Sequence, residues 1–72
     1  MIPTDWSPVA SSNVEAVKYD PGESALHIKF KSGKVYVYDG VPPEDAEGLY
    51  HASSPSGFLR DNIIGTYEHR RA

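Results

Sequence analysis

Three short alternating runs joined by tight turns, then two helical stretches each opened by proline, predict an α+β fold. The expected architecture is a three-stranded antiparallel β-meander with one or two short C-terminal helices packed on one face. At 72 residues the chain is long enough for one hydrophobic core and one domain. We expect that domain over residues 13–69, preceded by an extended lead-in over 1–12 and followed by a basic tail over 70–72.

The lead-in follows from Pro3, Ser7, Pro8, Ser11 and Ser12, which interrupt any periodicity. Trp6 stands out there, and a tryptophan in such a segment is expected to seal an edge of the core. The first strand is expected over Val14 to Tyr19 and is stopped by the turn-forming Asp20-Pro21-Gly22. The second, Ala25 to Phe30, puts Leu26, Ile28 and Phe30 on one face and His27 and Lys29 on the other. A third runs from Lys34 to Asp39 and is rich in β-formers.

The loop between the second and third strands admits two registers, and a slip of one residue exchanges the faces. A two-residue Ser32-Gly33 turn puts Val35 and Val37 inside and leaves Tyr36 and Tyr38 outside, beside Lys29 and His27. A three-residue Lys31-Ser32-Gly33 loop turns the tyrosines onto the Leu26/Ile28/Phe30 face. Glycine in the third loop position suits that bulged form.

Val41-Pro42-Pro43-Glu44-Asp45 then opens a helix. Proline is tolerated in a first turn, and the carboxylates of Glu44, Asp45 and Glu47 complement the positive end of the helix dipole. Ala46, Leu49 and Tyr50 form its apolar stripe, and Gly48 costs about 1 kcal/mol relative to alanine if helical. Ser53-Ser54-Pro55-Ser56-Gly57 breaks this helix and starts another, which carries Phe58, Leu59 and Ile63 and ends at Gly65. The expected core is Val17, Leu26, Ile28, Phe30, Leu49, Phe58, Leu59 and Ile63, with Trp6 and Tyr67 at its edges.

Composition excludes several function classes. The chain has no cysteine, so neither a disulfide framework nor thiolate chemistry is available. No apolar run approaches the roughly 20 residues of a membrane-spanning helix, so no membrane partner is expected. Residues 1–10 lack the basic-then-apolar pattern of a secretory signal, and a cytoplasmic location is expected. A net charge of -3 argues against a protein that coats nucleic acid. The charges are segregated, however. Three lysines and no acid lie between Ser24 and Tyr38, and four acids with no lysine or arginine lie between Asp39 and Ala52.

The expectation is a non-enzyme without metal or cofactor. His27, His51 and His69 fall in different elements without metal-ligand spacing, and no Gly-x-Ser-x-Gly elbow surrounds the serines. Two binding sites are candidates. Ser54, Ser56, Gly57 and Arg60 combine hydroxyls, a glycine permitting close approach and a guanidinium, a set suited to phosphate or carboxylate. Ordinary helix capping by Ser54 or Ser56 explains the serines equally. The second candidate is His27, Lys29, Lys31 and Lys34, joined by Tyr36 and Tyr38 in one of the two registers. Aromatics interleaved with cations stack bases and neutralise phosphates. A solvated sheet face with core tyrosines is the alternative there.

Val17-Lys18-Tyr19-Asp20, Leu26 to Phe30, Gly33, Tyr36-Val37-Tyr38, Val41-Pro42-Pro43, Ser56-Gly57-Phe58, Asn62-Ile63 and Gly65-Thr66-Tyr67 together resemble the KTSC domain, over about residues 6–69. That family is named for its occurrence at the C-terminus of some lysyl-tRNA synthetases, and it also occurs as short stand-alone bacterial and phage proteins. The resemblance implies an accessory module without established catalytic activity, and through the synthetases an association with RNA or tRNA. The family pattern has a basic residue near the final Gly-x-Tyr. Here Ile64 and Thr66 flank Gly65, which weakens the case for a basic site at that point. RNA is therefore the leading expected partner. The alternative, a protein partner or a small anion, accords better with the negative net charge, and exposed strand edges also permit pairing with another chain.

Overall fold

The computed structural model describes residues 4–72; the first three residues of the expected lead-in lie outside the described residues. The chain runs through β1 (Ser7–Pro8), β2 (Val14–Asp20), β3 (Ala25–Phe30), β4 (Val35–Tyr38), α1 (Pro43–His51) and α2 (Pro55–Phe58). It continues directly into a π-helical turn (Leu59–Ile63) and ends in β5 (His69–Arg71).

The loop between β3 and β4 decides which side chains face the core. Gly33 adopts φ +96°, its N–H bonds to Phe30 O at 2.9 Å, and Phe30 N–H bonds to Lys34 O at 2.8 Å. These bonds close the three-residue Lys31-Ser32-Gly33 loop with glycine in the left-handed region, the bulged alternative of the two registers. Leu26 therefore pairs with Tyr38 and Ile28 with Tyr36, so both tyrosines share the core face of the sheet. A second irregularity, between Val14 and Ala16, lets Val14 and Val17 both point inward from β2, while Ala16 pairs with Lys29 on the outer face.

Helices cover the inner face. Ala46 and Leu49 from α1, with Leu59 and Ile63 from the π-helical turn, join Val14, Val17, Tyr19, Leu26, Ile28, Tyr38 and Val41 in one buried cluster. Burial of each large aliphatic side chain there stabilises by about 1.5–3 kcal/mol. Tyr19 brings a polar tip into the centre, and its hydroxyl donates to Val41 O at 2.6 Å, which satisfies both groups. The π-helical turn is closed by Ile64 N–H to Leu59 O at 2.8 Å, and it sends Leu59 and Ile63 inward while leaving Arg60 outside. Tyr67 donates its hydroxyl to the Asp45 carboxylate, tying the segment before β5 to the first turn of α1. That bond is also the main reason the Tyr67 phenol pKa is pushed up.

The expected three-stranded meander is corrected to a five-stranded antiparallel sheet, in the order β1-β2-β3-β4-β5. The additional strands come from residues expected in the lead-in and at the C-terminal end. Ser7 and Pro8 pair with Val17 and Ala16, while His69, Arg70 and Arg71 pair with Tyr38, Val37 and Tyr36. Neither segment alternates apolar with polar residues, and each is an edge strand of only two or three residues. Trp6 is also corrected. It is 36% exposed and lies over the outer face of the sheet rather than at the rim of the core.

Candidate nucleic-acid interface

The residues expected to form one cationic and aromatic surface are divided by the sheet. His27 and Lys29 point to the outer face, since their partners Val37 and Val35 alternate with the core-facing tyrosines. Tyr36 and Tyr38 lie on the opposite side, stacked in sequence with His69, whose ring centroid is 5.6 Å from that of Tyr36 and 5.3 Å from that of Tyr38. Burial pushes the Tyr38 phenol pKa up, with Tyr36 adding to the effect, so it stays a neutral hydroxyl. Lys31 and Lys34 belong to the loop at the end of the hairpin, where both are exposed.

On the outer face most charges are already matched. The Lys29 ammonium lies 3.5 Å from the Glu15 carboxylate, and Arg70 Nε lies 3.4 Å from Asp39. Lys18 sits 5.0 Å above the centre of the Trp6 ring, which His27 meets edge-on at 6.3 Å. His27 is held below its ordinary pKa, first by partial burial and then by the neighbouring Lys18 charge. A recess of about 230 Å³ beside it is lined by Thr4, Lys18, Asp20, Pro21 and His27. It holds an acid as well as a cation, so its field is mixed.

The inner side of the hairpin end is different. A recess of about 340 Å³ lies among Asn13, Phe30, Lys31, Ser32, Lys34 and Tyr36. A second, of about 260 Å³, lies among Asn13, Phe30, Ser56, Leu59, Arg60 and Ile64. The two share Asn13 and Phe30 and so form one groove between the hairpin loop and the π-helical turn. The charged residues lining it are Lys31, Lys34 and Arg60, all cations. Its floor is aromatic, with Phe30 meeting Tyr36 edge-on at 5.7 Å. Half of each expected site thus meets here: Lys31, Lys34 and Tyr36 from one, Ser56 and Arg60 from the other.

Local chemistry prepares the Arg60 end. Ser11 Oγ accepts from the backbone N–H groups of Asn13 and Val14, both at 3.2 Å. It also lies 2.5 Å from Ser56 Oγ, a hydroxyl–hydroxyl bond in which either group can be the donor. Ser54 makes no side-chain cap bond; its carbonyl accepts from Phe58 N–H at 2.9 Å. A side chain at Gly57 would come within 3.1 Å of Ser54 Oγ, so glycine permits this tight fold-back beside Arg60. The Arg60 guanidinium rests on Asp61 at 3.3 Å, an exposed pair worth little and readily exchanged for another anion.

Sequence reasoning missed Asn13, Phe30 and Ile64 as groove residues. Phe30 was read as core, and Asn13 lies far from the loop in sequence; its carbonyl is tied to Lys31 N–H at 2.9 Å. The cation spacing was visible, but which cations share a surface depended on the hairpin register. Among the described residues no group of three or more metal-ligating side chains gathers, and no helix is long and apolar enough to cross a membrane.

Comparison with known proteins agrees with this architecture. A protein of Tsukamurella paurometabola is 44% identical over 52 residues, covering 72% of this chain and 78% of its own length. An uncharacterized protein of Stutzerimonas stutzeri is 41% identical over 44 residues, covering 61% of this chain and 62% of its own. The crystal structure of a KTSC domain protein from Yersinia pestis superposes with a TM-score of 0.90 at 31% identity, covering 94% of this chain and 96% of that one. Residues 10–67 match the family model of the KTSC domain, and the chain belongs to that family.

Proposed function

We propose that this domain is a non-catalytic binding module that recognises RNA through the groove between the β3–β4 loop and the π-helical turn. One observation carries the reading: the groove collects Lys31, Lys34 and Arg60, and no acid lines it, in a protein whose net charge is -3. Cations gathered against the sign of the whole molecule form a local field for phosphates. The aromatic floor of Phe30 and Tyr36 adds surface on which bases stack. The acids of Asp39, Glu44, Asp45 and Glu47 lie in and before α1 and repel nucleic acid from that side.

Fluorescence polarisation of labelled tRNA at several salt concentrations tests the reading. Binding through three phosphate contacts gives a slope of log K against log salt of about -2. The double change Lys31→Glu and Lys34→Glu should flatten that slope and weaken binding by at least tenfold. No binding at low salt would overturn the proposal.

The outer face supports a second reading, contact with a protein partner. Its exposed Trp6 carries the Lys18 ammonium over its ring, and Lys29 and Arg70 on the same face are already paired with Glu15 and Asp39, a surface suited to an apolar and weakly charged contact. Such binding would be insensitive to salt and to the lysine changes.

A further inference from the structure

We infer that the groove takes single-stranded rather than duplex RNA, with Phe30 as its stacking surface and Asn13 as a residue that reads base edges. This inference rests on the RNA reading proposed above. Phe30 and Asn13 are the two residues common to both recesses, so they mark the boundary between the Lys31/Lys34 end and the Arg60 end. Cations at both ends, with an aromatic ring between them, offer partners for phosphates on either side of an extruded base.

Phe30 is half-buried and packed against the core, and its edge-on contact with Tyr36 at 5.7 Å holds the ring in place. A base inside a duplex has both faces covered by its neighbours and cannot lie on such a ring. An unstacked base can. Duplex RNA is held instead by contacts spread over many base pairs, whereas the cations here are confined to one short groove.

Asn13 is oriented by its backbone. Its N–H bonds to Ser11 Oγ at 3.2 Å and its carbonyl accepts from Lys31 N–H at 2.9 Å, so the residue is tied to both walls. Its exposed carboxamide offers both donors and an acceptor, the combination that discriminates one base edge from another. The Ser56 hydroxyl, which lines the same recess as Arg60, adds a neutral polar group for a phosphate oxygen or a 2′-hydroxyl.

Fluorescence anisotropy with the intact protein tests this. The probes are labelled eight-nucleotide homopolymers of adenine, uracil and cytosine, and a blunt duplex RNA of twelve base pairs. Single strands should bind at least tenfold more tightly than the duplex. Phe30→Leu, which keeps an apolar side chain at the position, should weaken single-strand binding about tenfold. Asn13→Ala should bring the three homopolymers to within about twofold of one another while retaining most of the affinity. Thermal unfolding of both variants establishes that they fold. Duplex binding equal to single-strand binding, or full affinity in folded Phe30→Leu, overturns this inference and leaves the RNA reading intact. Unaltered base preference in Asn13→Ala removes its role as the reader. No binding to any of these RNAs, or to tRNA, removes both.

Discussion

On the outer face, the imidazole of His27 packs at right angles to the Trp6 ring that carries the Lys18 ammonium, and partial burial with that charge holds its pKa below 6.5. Arg70 acts in the same direction, while Asp20 and Glu23 oppose it. Well above pH 6.5 the histidine is neutral in the folded and unfolded chain and contributes nothing to the pH dependence. As pH falls through 6.5 the unfolded chain takes up the proton first, so stability falls as pH drops toward the folded pKa and then levels. The melting temperature should therefore decline between pH 7 and pH 5.5, and His27→Gln should decline less steeply over that interval. Equal slopes would show that the neighbours of His27 do not set its protonation. Single residues were unevenly legible. The buried aliphatics declared themselves by alternation in the strands and by position in the helical stretches, and Val17, Leu26, Ile28, Leu49, Leu59 and Ile63 are all buried. Trp6 did not, because bulk and apolarity alone do not say which face of a sheet a ring will cover.

Among the elements, α1 carries a glycine that propensity alone disfavours. A Cβ at Gly48 would lie 2.8 Å and 3.1 Å from two atoms of the Phe58 ring, so the missing side chain allows α2 to approach α1 closely. Gly48→Ala gains up to about 1 kcal/mol in helix propensity but must displace that ring. We expect net destabilisation of about 1 kcal/mol, since the ring is packed against the core, measured by urea unfolding. A stabilised variant would mean that Phe58 moves aside freely. The strands β2, β3 and β4 were legible because each has a period of two and a glycine-containing turn. The bulged register was legible through the third-position glycine, although the two-residue turn remained open on sequence grounds. β1 and β5 were not, since Ser7–Pro8 and His69–Arg71 have no apolar face and owe their place to the edges offered by β2 and β4.

For the whole molecule, net charge is a poor guide to its surface. The value of -3 argues against nucleic acid, yet it averages an acidic stretch from Asp39 through α1 with the cation-lined groove on the hairpin side. The segregation was visible in the order of charges along the chain. The groove was not, because it brings together Asn13, the Phe30–Lys34 hairpin end and Arg60 from three separate segments, and only the folded chain makes them neighbours. Its two halves appeared in sequence as unrelated sites, one of serines and arginine and one of lysines and tyrosines. The sheet then removed His27 and Lys29 from that surface and added Phe30 and Asn13 to it.

The most direct test of the proposed RNA-binding groove is a titration of the isotope-labelled protein with a single-stranded oligoribonucleotide, followed by amide NMR at low and high salt. The account predicts shifts concentrated at Asn13, at Phe30 to Lys34 and around Arg60, fading as salt rises. Shifts confined to Trp6, Lys18 and His27 on the outer face, or none at all, would contradict it.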